Sequence, residues 1–228
     1  MNYYGSPGHL DSLRDYEERV FPHCDFSKPS GEYSPGDGYR VLWYSAEDDN
    51  ELTRTLYRDL NTGIVNKLYH NAELIFEWKF TGASSRKASI IHHATGKTYL
   101  LFYEDLYGYS VLDLLSMQSV HYIPQESHET DESRFEETVI WVVPHYDPQS
   151  SLLAVEGCIW AAPYTVLVVD FSDPMRIVEA KDWLDLNGGI ESDHYVHIDF
   201  VEWKGDSLVC SMGVFGKNDL IKRIGRLE

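Results

Sequence analysis

The sequence has few cysteines, no long apolar run and no recognised zinc spacing. Its three cysteines, Cys24, Cys158 and Cys210, lack the C-x-x-C pattern of a structural zinc site, and an odd number does not complete a disulfide framework. The longest apolar runs, such as residues 164–169, have the length of a strand, whereas a helix needs roughly 18 apolar residues to cross a bilayer. These absences argue against disulfide-stapled, zinc-stabilised and helical membrane proteins.

Short catalytic motifs are absent as well. The chain has no G-x-S-x-G elbow, no P-loop, no H-E-x-x-H pair and no G-x-G-x-x-G turn between a strand and a helix. Its first residues show neither the basic nor the apolar segment of a cleaved signal peptide. We therefore predict a cytoplasmic protein that uses no cofactor, and we favour a binding function over catalysis.

Basic residues are scarce relative to acidic ones. The 228 residues include 37 Asp and Glu but 19 Lys and Arg, which gives a formal net charge of −18. So negative a surface repels nucleic-acid phosphates and anionic lipids and attracts basic proteins. The charge predicts a basic protein partner and neither a nucleic acid nor a membrane, while solubility alone would also explain it. The oligomeric state is left open.

Apolar and aromatic residues are abundant and fall in short runs. They make up 43% and 14% of the chain, enough to form one substantial core, since a chain of this size buries roughly 70–75% of its unfolded surface. Four successive units each contain runs of strand length separated by turn residues. The runs lie at 39–44, 52–60 and 64–69; at 88–93, 99–103, 110–114 and 120–123; at 139–143, 152–155, 165–170 and 177–180; and at 197–203, 208–212 and 220–224.

The spacing of these units is regular. Asp59, Asp113 and Asp170 each follow a β-like run and lie 54 and 57 residues apart. With 39–44 taken as the second strand of an incomplete first unit, the second strands align on Val41, Leu100, Leu152 and Leu208, at intervals of 59, 52 and 56 residues. Units of about 50 residues with four strands each are typical of propeller blades.

Between about residues 34 and 226 the chain resembles generic β-propeller blades of the WD-repeat type. Residues 146–155 look like the turn and second strand of such a blade, and residues 168–171 like its third strand. The Gly-His and Trp-Asp signatures are missing, so the resemblance implies a fold and no activity. We predict an all-β protein, a propeller-like array of about four antiparallel meander units, with a β-sandwich or barrel as the alternative.

The ends of the chain fit this array less well. Residues 1–33 contain Pro7, Pro22 and Pro29 and are poor strand material, with a short helix predicted at 12–20. We assign residues 1–33 to an irregular, partly helical cap and residues 34–228 to a single all-β repeat domain. The last unit has no fourth run, so closure would require a strand from the N-terminal segment; otherwise the array stays open.

Three histidines occupy related places in the units. His93 and His145 each lie seven residues before a second-strand anchor, and His197 lies in the first strand of the last unit. Strand periodicity places Asp199 on the same face as His197. Because first strands line the channel of a propeller, His93, His145, His197 and Asp199 form a candidate ligand or metal site. The alternative is a polar strand face that meets water.

Two acidic stretches fall between predicted strands and are therefore loops. Carboxylates spaced in this way suit a surface rich in Lys and Arg, although a solvated insertion explains them too. The predicted partner-binding residues are Glu47, Asp48, Asp49 and Glu51 in the first stretch and Glu126, Glu129, Asp131, Glu132, Glu136 and Glu137 in the second.

Three classes of function remain in competition. The favoured one is a non-catalytic interaction module that binds a basic macromolecule, for example an immunity-type inhibitor of a nuclease-like toxin. The second is a small-ligand or carbohydrate binder that uses an aromatic surface. The third is an enzyme with a His/Asp polar centre. The aromatic surface would consist of Tyr107, Tyr109, Trp160 and Tyr164, with Tyr103 nearby.

Overall fold

The computed structural model describes most of the chain and shows an all-β protein with one α-helix in the described part. The residues that it describes are 2–4, 7–47, 62–81, 87–122, 140–158, 164–176, 180–182, 196–205, 207–214 and 223–226. No helix among them is long and apolar enough to span a bilayer.

The N-terminal part supplies a strand and a helix. Strand β1 spans Asn2–Tyr4, helix α1 spans Pro7–Val20, and a 3-10 helix spans Phe21–His23. Pro7 suits the first helical position because the N–H group that proline lacks would have no intrahelical acceptor there. Leu13, Tyr16 and Val20 recur at helical spacing and are buried. The helix predicted at 12–20 is confirmed, and it begins at Pro7, five residues earlier than predicted.

Four antiparallel sheets follow in chain order. Sheet I contains β2 (Gly31–Gly36), β3 (Tyr39–Glu47), β4 (Thr62–His70) and β5 (Glu73–Phe80). Sheet II contains β6 (Ser89–His92), β7 (Thr98–Phe102), β8 (Tyr109–Asp113) and β9 (Gln118–Tyr122). Sheet III contains β10 (Ile140–Asp147), β11 (Leu152–Cys158), β12 (Thr165–Asp170) and β13 (Lys181–Asp182). Sheet IV contains β14 (Val196–Lys204), β15 (Ser207–Val214) and β16 (Arg223–Arg226).

Two features of this architecture differ from the expectation. Strand β1 pairs in parallel with β9 and so extends sheet II, which means that the N-terminal segment supplies a strand to the second sheet rather than to the last. Residues 31–33, expected to belong to the irregular cap, form β2 together with residues 34–36, because Gly31 to Tyr33 pair with β3 before the chain turns at Asp37 and Gly38. The predicted strand at 52–60 lies outside the described residues.

The sheets pack face to face in the order of the chain. Leu100, Phe102 and Leu112 of sheet II share a buried cluster with residues of sheet I, whereas Leu101 and Val111 share one with sheet III. Adjacent strand residues therefore point to opposite faces, as period-two geometry requires. Since both faces of β7 and β8 are covered, these strands read as unbroken apolar runs in the sequence.

The same alternation continues at both ends of the stack. Leu153 and Val155 of sheet III face sheet II, while Ala154 and Val166 pack with Ile198 and other residues of sheet IV. At the other end, helix α1 and the 3-10 helix cover the outer face of sheet I. That buried cluster consists of Tyr16, Val20, Phe21, Tyr44 and Val65, with Cys24, Phe26 and Leu42 against it.

Candidate functional site

The strands of the four stacked sheets end at two opposite edges. Short connections leave from one edge and long connections from the other. At the short-turn edge the chain passes between described strands through 37–38, 71–72, 93–97, 114–117, 148–151, 171–180 and 205–206. At the long-connection edge the ends of successive described strands are separated in sequence by residues 48–61, 81–88, 103–108, 123–139, 159–164, 183–195 and 215–222. Apart from 171–180, every connection at the short-turn edge has five residues or fewer, and every connection at the other edge has six or more.

Contacts between sheets show that these edges are continuous. At the long-connection edge, the N–H of Thr81 donates to the carbonyl of Glu104 at 3.1 Å and the N–H of Trp141 to the carbonyl of Leu106 at 3.3 Å. The N–H of Ile198 donates to the Tyr164 carbonyl at 2.8 Å. The described strand ends from which the long connections leave successive sheets therefore lie on the same side. Binding sites favour such loops on a rigid scaffold.

Aspartates organise the short-turn edge. Asp113 ends β8, and its Oδ1 accepts the N–H groups of Leu115 and Ser116 at 2.9 and 3.2 Å. Burial alone would raise the pKa of Asp113, yet these N–H groups and the Lys97 ammonium together hold that pKa below its ordinary range. These bonds fix the turn, so Asp113 has a structural role.

Asp147 and Asp170 act in the same way at later turns. Asp147 accepts the N–H and the hydroxyl of Ser150, and Asp170 accepts the N–H of Ser172 at 3.0 Å. Burial opposes ionisation of Asp147, but the bonds from Ser150 and Gln149 lower its pKa; the bonds from Ser172 lower the pKa of Asp170. Of the three regularly spaced aspartates, Asp59 lies outside the described residues, and the other two cap turns.

A buried polar group lies beside the long-connection edge. Glu104 Oε2 accepts the Ser110 hydroxyl at 2.8 Å and lies 2.8 Å from His121 Nδ1. Ser110 also contacts His121 Nδ1 directly. The three residues are 8%, 0% and 0% exposed. Both Glu104 and Ser110 meet the same imidazole nitrogen, so this is not the arrangement in which a serine is activated by one nitrogen while an acid orients the other. We assign it a structural role.

Sequence reasoning did not identify this buried group. A signal for it exists, because Ser110 and His121 interrupt apolar runs that are buried on both faces, and a polar residue in such a run requires an internal partner. Its partner Glu104 comes from the connection 103–108, and no local spacing predicts that contact.

The candidate residue His93 is buried and bonds to residues of the short-turn edge. Its Nε2 lies 2.8 Å from the Phe171 carbonyl, so this nitrogen carries the hydrogen, while Nδ1 accepts the N–H of Thr95 at 3.2 Å. The ring also stacks on Tyr146. His93 therefore joins sheets II and III, and both of its nitrogens have protein partners.

His145 occupies the next interface in the stack. Its Nε2 lies 2.9 Å from Glu156 Oε2, and its ring stacks on Phe200 with a centroid separation of 3.8 Å. The other oxygen of Glu156 accepts the N–H of Phe200 at 2.9 Å. Glu156 thus bridges His145 on sheet III to the backbone of sheet IV.

His197 and Asp199 form a half-exposed pair on β14. His197 Nε2 lies 2.7 Å from Asp199 Oδ1, and the N–H of Tyr164 donates to His197 Nδ1 at 3.3 Å. The three candidate imidazoles therefore have separate partners. Within the part of the chain that the structure describes, no group of three His, Cys, Asp or Glu side chains is placed to hold a metal ion.

The predicted aromatic surface is divided between the core and the long-connection edge. Tyr103 and Tyr109 are each 2% exposed, and the Tyr109 ring stacks on Trp141 at 4.7 Å, so Tyr109 is a core residue and not a ligand platform. Tyr107 bridges to Ile140, and Tyr164 lies beside His197; both are half-buried. Trp160 lies outside the described residues.

The acidic stretches are placed by their attachment points. Glu47 is the last residue of β3 and pairs with Thr62, while the longer stretch follows Tyr122 and precedes Ile140. Both attachment points lie at the long-connection edge. The other predicted carboxylates lie outside the described residues, namely Asp48, Asp49, Glu51, Glu126, Glu129, Asp131, Glu132, Glu136 and Glu137.

Comparisons with known proteins do not assign this chain to a family. No family model matches the chain. A 40-residue segment is 42% identical to "Uncharacterized protein R762" of Acanthamoeba polyphaga mimivirus, which covers 18% of this chain and 16% of the viral protein. The GH43 protein BlXynB mutant (K247S) from Bacillus licheniformis aligns with 85% of this chain and 44% of its own at 11% identity, with a TM-score of 0.32.

Proposed function

We propose that this protein is a non-catalytic interaction module that binds a basic protein through its long-connection edge. The observation that carries the proposal is that both acidic stretches join the fold at this edge. Residues 47–51 have a formal charge of −4 and residues 125–137 one of −5. Half of the net charge of −18 therefore comes from two segments attached on one side, which favours electrostatically steered association.

The chemistry of the described residues supports binding over catalysis. General bases and nucleophiles need an accessible atom that faces a substrate. His93 has partners on both nitrogens, the Glu104 group is buried, and Asp113 and Asp147 cap turns. His197 and Asp199 are half exposed, but both ring nitrogens of His197 already have partners in the chain.

A partner of suitable chemistry is a nucleic-acid enzyme. Such an enzyme has a basic active site that accepts phosphates, and an acidic protein edge complements that site. An immunity-type inhibitor of a nuclease-like toxin is the concrete form that we propose. Tight binding would then depend on charge at this edge and would weaken as salt rises.

We also propose that the four sheets are blades of a propeller-like array. The stacking of sheets I to IV in chain order supports this arrangement, because each blade of a propeller packs on the next. First strands then approach a common axis. A short bifunctional maleimide should join Ser34→Cys in β2 to Glu202→Cys in β14 after the native cysteines are replaced. Failure to crosslink these positions in the folded protein would contradict the arrangement.

The binding proposal is tested with a fluorescent peptide of eight arginines. Fluorescence anisotropy should show binding at low salt that weakens as salt rises. Replacing Asp48→Asn and Asp49→Asn should weaken binding several-fold more than replacing Glu73→Gln and Glu202→Gln, which remove the same charge from exposed positions elsewhere. Equal losses in the two double variants would show that no edge is preferred and would reject the proposal.

A further inference from the structure

A groove lies between α1, the 3-10 helix and the outer face of sheet I. Its volume is about 600 Å³, within the range of roughly 300–1,000 Å³ found for ligand pockets. Its apolar surface comes mainly from Phe21, Pro22, Phe26 and Val65. Its polar rim consists of Arg14, Glu17, Glu18, Glu77 and Lys79.

The groove adjoins the point where the first acidic stretch leaves the fold. A Cβ built on Gly63 would lie 3.0 Å from Phe26 Cζ and 3.5 Å from Phe21 Cε1, so these rings pack directly against that glycine. Gly63 pairs with Ala46, and Glu47 follows at the end of β3. Glu47, the described end of the first acidic stretch, therefore belongs to the strand pair whose Gly63 contacts the rings of the groove.

The groove already binds a cation from its own chain. Lys79 Nζ lies 5.0 Å from the centroid of the Phe21 ring and 3.2 Å from Glu17 Oε2. A distance below about 6 Å from the ring centroid is typical of a cation–π contact. Lys79 therefore satisfies one ring face and one carboxylate of the groove, so an added cation needs other groups on the rim.

Further carboxylates stand on the rim. Glu18 is exposed and makes no ion pair with any residue that the structure describes. Glu77 is half exposed and lies 3.5 Å from Lys67. The rim thus holds three carboxylates and two cations, and one of the cations, Lys79, is already paired with Glu17.

We propose that this groove receives an arginine side chain of the basic partner, an inference that rests on the proposed function. The aliphatic stem packs on Pro22 and Phe26, and the guanidinium lies between the Phe26 ring and the Glu18 carboxylate. A guanidinium fits better than an ammonium because it is planar, stacks on rings and binds carboxylates through two N–H groups. The arginine anchors a partner that the acidic stretches attract.

The test compares three peptides by anisotropy: eight arginines, eight lysines and eight citrullines, the last being neutral and similar in shape. Glu18→Gln should weaken the arginine peptide roughly threefold to fivefold, as expected for one exposed ion pair, and Glu202→Gln should not. Phe26→Leu keeps apolar volume but removes the ring, so it should weaken the arginine peptide more than the lysine peptide. In NMR spectra the ring signals of Phe21 and Phe26 should shift with the arginine peptide and not with citrulline.

The possible failures are distinguishable. If Asp48→Asn with Asp49→Asn weakens the arginine peptide while Glu18→Gln matches Glu202→Gln and the two ring signals stay in place, the groove proposal is overturned and the binding edge stands. If the wild-type protein binds neither charged peptide at low salt, both proposals are overturned. Equal binding of the citrulline and arginine peptides would also reject the groove proposal, since charge would then play no part.

Discussion

Glu104 Oε2 lies 2.8 Å from Nδ1 of His121, whose side chain is completely buried. The same oxygen accepts the Ser110 hydroxyl, and the Glu104 carbonyl accepts the N–H of Thr81. One residue of the connection 103–108 therefore joins β8, β9 and the end of sheet I. The long-connection edge owes its order in part to this carboxylate.

Removing the Glu104 side chain should destabilise the protein strongly. Glu104→Ala leaves the buried His121 and Ser110 without this acceptor, and a buried polar group that loses its hydrogen-bond partner costs about 1–3 kcal/mol. Glu104→Gln keeps one oxygen and should cost less. Urea unfolding measures both, with exposed Glu202→Ala as the control, for which a change within about 0.5 kcal/mol is expected. A Glu104→Ala protein as stable as this control would contradict the structural role.

The strands were the predictable part of this fold. Runs such as 152–155 and 166–169 are apolar throughout because both faces are covered. Val41, Leu100, Leu152 and Leu208 all lie in the second strand of their sheets. Strand β5 was missed, because Glu73, Leu74 and Glu77 are exposed and its pattern is mixed. Strand β1 was missed since its parallel pairing with β9 depends on a contact more than one hundred residues away.

The candidate sites were less predictable than the strands. Residue type and spacing suggested His93, His145 and His197 as one cluster, but strand register could not show that Phe171, Glu156 and Asp199 would each bind one of them. Tyr109 was placed on the surface because an aromatic at a strand end suits both a core and a ligand. Its burial is decided by sheet III, through Trp141.

Asp147 should make stability depend on acid pH. Its folded pKa lies below the ordinary 3.8, so its contribution is complete above about pH 4 and disappears as pH falls through the lower folded value. Asp147→Asn places an amide where Oδ2 accepts two bonds from Ser150 and should cost about 1.5 kcal/mol at pH 7. The difference from wild type should shrink as the pH falls below about 4 in urea titrations. A difference independent of pH would contradict this, and Glu73→Gln serves as the control.

Cys210 should be chemically inert in the folded protein. Burial, with smaller effects from the Glu156 and Asp199 carboxylates, raises the pKa of its thiol to about 12, and the thiolate is the reactive form. In a Cys24→Ser, Cys158→Ser protein, iodoacetamide at pH 8 should label Cys210 only as fast as the protein unfolds. Glu156→Gln should leave labelling slow, because burial, the larger cause, persists. Mass spectrometry measures the rate, and labelling at the rate seen in urea would contradict the prediction.

β2 needs glycine at position 31 because a larger side chain has no room there, and not because the backbone conformation requires it. A Cβ there would lie 2.6 Å from Trp43 Nε1, and Gly31 pairs with Trp43 across the sheet. Gly31→Ala should therefore cost about 2 kcal/mol through overpacking, and clearly less in a Trp43→Phe background, where the clashing indole atoms are gone.

Gly38→Ala is the control: nothing lies within 4 Å of its Cβ and its φ is +73°, so its cost is backbone strain and should be the same in both backgrounds. A double-mutant cycle by urea unfolding measures the coupling. Equal costs of Gly31→Ala with and without the indole would show that the tryptophan does not set this requirement.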